Sequence, residues 1–388
     1  MKIAMIFDGL QYGGIERVGI DYAKIFSLMG NKVDVYNLTP SLSAIEKEFD
    51  ENVNIFHIKF PRFLAPEIYS KFSKRGVGFK ILYPCAYILV TCVDVIYKRA
   101  LKVCNKLSRE YDVVIAFSGH YNDLTFVAQD FLKSSKKLCW LHGALYGYAI
   151  ISDGYLNLYN KIKNLVVLNE ILQDEVLLTN KQLKGLNIRK IYNPSFIAHK
   201  KTDSLKIEQL KEKYGLFFIM VGRLDKQKDQ LLIIKALEYI QNKYGFHEKL
   251  VLVGDGDTRK ELEEYVVKHN MSDSVIFEGN RSDVQNYYAA AHLFTHASPL
   301  EGLPTTLIEA LYFEIPIVAT DSMPGVREIL GNNKYGVITP LGDYKQMGEE
   351  IYKMYSNQEI YNSYKKKERL RFKEYSPEQV MEKMKDII

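Results

Sequence analysis

The chain has 388 residues, 47% of them apolar and 26% charged, a composition that suits a soluble globular protein of two domains, each able to bury its own core. A net charge of +5 is too small to point to a nucleic-acid partner. Cys85, Cys92, Cys104 and Cys139 lie in apolar stretches with no C-x-x-C pair, which reads as reduced core or interface thiols in a cytoplasmic protein.

Lys2–Phe7 reads as a first strand running into a glycine-containing loop, so no signal peptide is expected there. Tyr12-Gly13-Gly14-Ile15-Glu16-Arg17 then opens a helical pattern over Glu16–Leu28. Paired glycines let a backbone approach a phosphate or a sugar while the helix start supplies N–H groups. The G-x-G-x-x-G spacing is missing, so a nicotinamide dinucleotide is not indicated. Strands are expected at Lys32–Asn37 and Val53–Ile58. The most membrane-like run, Ile81 to Ile96, is too short to span, is broken by Pro84 and carries Asp94. Residues 59–106, with a helical pattern over Ile81–Leu107, are basic and rich in aromatics, with only Glu67 and Asp94 as acids. Such a segment can lie on an anionic membrane surface, or form the solvated face over a buried core helix. Strands Val113–Phe117, Lys137–Leu141 and Asn164–Leu168 follow, with a helix over Asn122–Leu132. His142, with Gly143, closes the second of these strands, where it could meet a sugar hydroxyl or be structural.

The polar stretch Lys200–Asp203 reads as the linker. Strands are then expected at Phe217–Val221, Lys249–Val253, Val275–Glu278, Leu293–His296, Ile317–Ala319 and Gly336–Ile338, with helices between them. This alternation predicts two parallel, helix-covered sheets, which bind ligands at the carboxyl ends of their strands. Gly222-Arg223 follows the first of these strands and Lys228 stands before the helix Gln230–Ile240. An Arg fork and a Lys point charge on one loop are what a leaving diphosphate requires. Asp255-Gly256-Asp257 reads as a turn into the helix Arg259–Lys268. His292 and His296 have metal-pair spacing but straddle a helix-to-strand change, with no further ligand to complete a set, and read as structural. In SPLEGLPTTLIEA, Glu301 precedes a loop of Gly302, Leu303, Pro304 and Thr305, and Glu309 falls about one turn inside the helix that follows. N–H groups at a helix start favour an anion, and two carboxylates favour hydroxyls. A ligand with both a diphosphate and hydroxyls, such as a sugar nucleotide, fits. From Tyr344 the pattern is helical and charged to the end.

The ordered set Gly13-Gly14, His142, Gly222-Arg223 with Lys228, Gly254-Asp255-Gly256, Gly279-Asn280-Arg281-Ser282-Asp283-Val284 and Glu301 to Glu309 resembles glycosyltransferase family 4, of the GT-B architecture. The resemblance implies two Rossmann-like domains facing across a cleft, with residues 1–195 for the acceptor, 196–365 for the nucleotide sugar and a helix over 366–388 crossing back to the first domain. It implies transfer of a hexose or N-acetylhexosamine with retention, from a UDP-sugar, to a polysaccharide or lipid-linked glycan in cell-surface glycan biosynthesis. No cofactor and no metal are expected, since protein cations take the metal's place. The implied catalytic set is Arg223, Lys228, Glu301 and His142. Arg223 and Lys228 would hold the diphosphate, and Glu301 would lie near the sugar. Glu309 would hold the ribose, and Arg281 and Asp283 would border the base. Gly13, Gly14, Gly222, Gly302, Leu303, Pro304 and Thr305 would complete the donor site. The expected location is cytoplasmic, on the inner face of the membrane through residues 59–106. His292 stands where an acid is common in such enzymes, and Asp229 where glycine is frequent. Two rival readings share the motifs: a GT-B nucleotide-sugar 2-epimerase and a non-catalytic sugar-nucleotide-binding subunit.

Overall fold

The computed structural model describes residues 1–60, 65–66, 88–89, 92–93, 95–100, 102, 109–143, 145–151, 154–179, 183 and 185–388. Their strands form two sheets, and every recorded strand pair is parallel. In the first, β1 (Lys2–Phe7), β2 (Lys32–Asn37), β3 (Asn54–His57), β4 (Glu110–Ala116), β5 (Lys133–Leu141), β6 (Asn164–Val167) and β7 (Asn187–Lys190) lie in the order β3-β2-β1-β4-β5-β6-β7. In the second, β8 (Phe217–Val221), β9 (Lys249–Val253), β10 (Val275–Gly279), β11 (Leu293–His296), β12 (Ile317–Thr320) and β13 (Val337–Thr339) lie in the order β10-β9-β8-β11-β12-β13. The central strands are continuous apolar runs because both sheet faces are covered by helices: Phe217, Phe218 and Ile219 are fully buried, as are Leu250, Val251 and Leu252. Two Rossmann-like α/β domains follow, as the alternation of the sequence predicts.

Chain contacts group Met1–Ile191 with Met381–Ile388 as one unit and Tyr192–Val380 as the other. The sequence divided the chain at 195/196 and 365/366. Ser195 sits with the second unit because its N–H donates to the Tyr375 carbonyl at 3.0 Å, and Tyr192 packs its ring on Tyr375 at 4.6 Å. The stretch 200–203, expected as linker, leads into the helix Ser204–Tyr214: the Asp203 carboxylate accepts from the Leu205 and Lys206 N–H groups. That is an N-cap, inside the second unit. The tail is not one helix. Gln358–Phe372 ends in a short 3-10 turn, and Pro377, which lacks an N–H, opens a separate helix to Lys385.

The basic segment 59–106 and the helix expected over Ile81–Leu107 lie largely outside the described residues, as do Cys85 and Cys104. Cys139 is buried as expected, whereas Cys92 is exposed. Strand β7 had no counterpart in the sequence reading. Among the described residues no helix is long and apolar enough to cross a membrane.

Candidate active site

In each sheet the strand order reverses once, between β1 and β4 in the first and between β8 and β11 in the second. Loops leaving the carboxyl ends of such a strand pair bound the crevice in which open α/β sheets bind ligands. The second sheet sends out two: Gly222 to Asp229 after β8, and Ala297 to Pro304 after β11.

The first loop is held from below by backbone contacts that only glycine permits. The Gly222 N–H donates to Val253 and the Gly254 N–H to Gly279, at 3.0 and 2.8 Å, so the ends of β8, β9 and β10 are laced together. Gly254 has φ +139°, and a Cβ there would lie 2.0 Å from the Gly222 carbonyl oxygen. At Gly256 a Cβ would lie 2.3 Å from the Leu224 oxygen. Asp255-Gly256-Asp257 is therefore a structural turn, with Asp255 accepting from the Gly256 N–H at 2.8 Å and from Arg259 at 3.1 Å.

Asp225 organises the two cations on this loop. Its Oδ2 accepts from Arg223 Nε at 2.6 Å and its Oδ1 from the Lys228 N–H at 3.0 Å. Gln230 donates to the Arg223 carbonyl at 2.8 Å, tying the loop to its helix, Gln230–Tyr244. The Arg223 side chain is 59% exposed, and among the described residues it pairs with Asp225 alone. Lys228 is more enclosed, and its Nζ donates to Glu301 Oε1 on the second loop.

Glu301 is fixed through its backbone. Its carbonyl accepts from the Gly325 N–H at 2.9 Å, where a Cβ would lie 2.6 Å from the Gly302 oxygen. The helix Thr305–Tyr312 follows, with Pro304 as N-cap and no side chain capping its first N–H groups. Such N–H groups attract an anion. Glu309, partly buried one turn inside, stands near the buried Tyr288, whose hydroxyl donates to the Thr306 carbonyl at 3.4 Å; burial and then the Glu309 carboxylate push that phenol well above its usual range. Beneath Glu301 stands His296 at the end of β11, 1% exposed, with Nε2 3.7 Å from Glu301 Oε1. Burial lowers its pKa to about 4, against the opposing pull of Glu301 and with some help from Lys228. His292 is not beside it: it stacks on Tyr361 at 4.2 Å.

Arg281 and Asp283 belong to a separate cluster at the end of β10. Glu278 accepts from Tyr287 at 2.7 Å and Lys213 at 3.2 Å, and from Tyr214 and Arg281. Burial alone would raise its carboxyl, but these hydrogen bonds overcome it and hold the pKa near about 2. Asp283 is the N-cap residue of the helix Val284–Ala290 but makes no side-chain cap bond.

In the first unit Gly13 is the N-cap of the helix Gly14–Leu28, and a Cβ on it would meet Glu16 at 2.3 Å, whereas Gly14 faces open space. His142 follows β5. Its Nε2–H donates to the Phe117 carbonyl at 2.7 Å, and burial lowers its pKa to about 4, so the ring is neutral with Nδ1 left as an acceptor. The sequence reading missed the residues at this sheet's own reversal. Asp8, directly after β1, accepts from Asn122 at 3.0 Å and lies 3.7 Å from His120 Nδ1. Asp123 accepts from the Gly119 and His120 N–H groups at 2.8 and 2.7 Å. The signal was available in Ser118-Gly119-His120, which follows β4. Among the described residues no three His, Cys, Asp or Glu side chains gather as a set that could hold a metal.

The family model for glycosyl transferases group 1 matches residues 201–378, essentially the second unit. Over 380 residues the chain is 24% identical to an uncharacterized glycosyltransferase of Haemophilus influenzae, covering 97% of this chain and 96% of that one. It is 25% identical, over 71% of its length and 74% of the other's, to the Campylobacter jejuni N-acetylgalactosamine-N,N'-diacetylbacillosaminyl-diphospho-undecaprenol 4-alpha-N-acetylgalactosaminyltransferase. Its fold superposes on Anabaena HepE in complex with UDP and glucose with a TM-score of 0.73, at 19% identity and covering 100% of this chain and 98% of that one. With its two Rossmann-like domains, and with both loops of the second reversal inside the segment that matches the glycosyl transferases group 1 model, the protein is a glycosyltransferase of the GT-B fold.

Proposed function

We propose that the protein is a retaining, family 4 glycosyltransferase. In this reading it moves a hexose or N-acetylhexosamine from a UDP-sugar to a lipid-linked glycan at the cytoplasmic face of the membrane. The observation that carries the donor assignment is the meeting of Arg223, Lys228, Glu301 and an uncapped helix start at one strand reversal. Arg223, Lys228 and the N–H groups of Thr305 and Thr306 take the diphosphate. Glu309 takes the ribose hydroxyls, and Glu301 the sugar. Arg281 and Asp283 border the base. Gly222 and Gly302, Leu303 and Pro304 shape the loops around the phosphates.

The bond between the anomeric carbon and the diphosphate oxygen breaks as the acceptor hydroxyl oxygen bonds to the same carbon and face. The acceptor's proton passes to the departing phosphate oxygen. Negative charge grows on the diphosphate as the sugar becomes oxocarbenium-like, and fixed Arg, Lys and N–H donors stabilise it without reorganising. Two side-chain cations in that position support metal-independent transfer. The lipid-linked acceptor is supported by the diphospho-undecaprenol in the name of the Campylobacter relative. The membrane face is supported by Ile88, Leu89, Val93 and Ile96, all exposed within the basic segment.

The test is a thermal-shift panel of UDP-, GDP-, ADP- and dTDP-sugars and the free diphosphates, each with and without a chelator. A ligand that prefers the folded state raises the melting temperature. UDP-sugars are expected to do so equally in both conditions. A shift with another base reassigns the donor, a shift lost with chelator contradicts metal independence, and donor turnover without acceptor points to an epimerase. No shift from any of them contradicts sugar-nucleotide binding altogether, and with it both this reading and the non-catalytic sugar-nucleotide-binding subunit.

A further inference from the structure

His296 is buried at the reversal point of the second sheet, and among the described residues neither of its ring nitrogens has a hydrogen-bond partner. Such a polar group is costly to bury, typically more so than an apolar side chain of the same size. It does not stand in empty apolar surroundings, however. Its Nε2 lies 3.7 Å from Glu301 Oε1, the same oxygen that receives the Lys228 ammonium. A closure of under an ångström, roughly, would bring that nitrogen to hydrogen-bond distance. Among the described residues, Lys228 and His296 are the two ion-pair partners recorded for Glu301.

We propose that His296 is a positioning residue that takes over the Glu301 carboxylate when a diphosphate draws Lys228 away. The proposal rests on the reading of Lys228 as a diphosphate contact. A Lys ammonium held by a carboxylate can turn to a phosphate only if the carboxylate it leaves is not stranded. A half-buried acid such as Glu301, left without a partner, would oppose the move, because the lost charge-assisted bond and the desolvation cost fall on the same group. The neutral imidazole supplies that partner as an N–H donor. It adds no positive charge to compete with the Lys228 ammonium for the phosphate, and burial keeps it neutral down to about pH 4. His296 thus lowers the cost of releasing Lys228 and keeps Glu301 aimed while the cation is engaged elsewhere.

The test is calorimetric titration of UDP into the wild type, Lys228→Ala, His296→Leu, His296→Gln and the double variant Lys228→Ala/His296→Leu. Leucine matches the volume of histidine without a donor, and glutamine places an amide N–H near the position of Nε2. His296→Leu is expected to weaken UDP binding roughly tenfold, the loss of one hydrogen bond to a charged group. Its unliganded melting temperature should be unchanged or higher, since no hydrogen bond of the free protein is lost. His296→Gln should restore most of the affinity. In the Lys228→Ala background His296→Leu should add no further loss, because there is then no lysine to release. Wild-type UDP binding by His296→Leu beside an impaired Lys228→Ala overturns this proposal alone. So does a loss of affinity that comes with a lower melting temperature and is not rescued by glutamine. A wild type that does not bind UDP, or Lys228→Ala that binds it equally well, overturns the functional reading and the proposal with it.

Discussion

Burial holds His142 and His296 neutral, each with a pKa near about 4, while an unfolded histidine titrates near about 6.5. A depressed folded pKa means that the unfolded chain binds more protons as the pH falls. The stability these residues contribute is therefore complete above about pH 6.5 and is lost progressively as the pH drops towards about 4. Melting temperatures measured across that window should fall steadily, and His142→Asn should flatten part of the slope. An unchanged slope would mean that the ring is not held neutral. At this scale the sequence exposed His142 and Arg223, which closely follow strands, and Lys228, which stands before the next helix on the loop after β8, because a strand's carboxyl end fixes where the next side chains go. His292 and His296 read as structural and not as a metal pair because the chain changes from helix to strand between them, and the two rings do part: one stacks on Tyr361 while the other lies under Glu301. Asp225 was passed over because its role, receiving Arg223 and the Lys228 N–H at once, exists only in the folded turn.

Elements carry the site through their ends. Strands β8, β9 and β10 bring Gly222, Gly254 and Gly279 into one backbone-bonded row, and the Arg223 loop rests on it. Gly254→Ala places a methyl 2.0 Å from the Gly222 oxygen at a φ of +139°, so this change should destabilise the second unit by about 3 kcal/mol or more. It should also displace Arg223. Denaturant melts together with UDP binding would check this, and a variant as stable as the wild type would show that the row can relax. The core strands were legible as apolar runs because parallel strands buried on both faces leave no polar alternation. Strand β7, Asn187–Lys190, was not. It pairs with β6 alone and alternates exposed with half-buried residues, so its four residues carry little apolar signal. The polar run at 200–203 resembled a linker because N-cap and linker residues are drawn from the same small, polar set.

At the scale of the molecule, the chain forms two α/β units, and its last residues, Met381–Ile388, group with the unit in which it began. Parallel sheets with helices on both faces were expected from the alternation of patterns, but the place where the chain leaves one unit for the other was set by contacts of Tyr192 and Ser195 with Tyr375, far away in sequence. Exposed Ile88, Leu89, Val93 and Ile96 in a basic segment predict binding to anionic vesicles that weakens as salt screens the charge. Cosedimentation with phosphatidylglycerol vesicles at low salt should deplete the protein from solution, while phosphatidylcholine vesicles should not. Protein that stays off both contradicts the membrane part of the account and leaves the transferase part standing.

The central claim is that Arg223 and Lys228 stabilise the departing diphosphate. Its most direct test is sugar turnover by Arg223→Ala and Lys228→Ala with the donor chosen by the thermal-shift panel. Loss of one charge-stabilising group at a developing anion typically costs about a hundredfold, and each variant should fall by that order while keeping its fold. Both variants turning over at the wild-type rate would contradict the account.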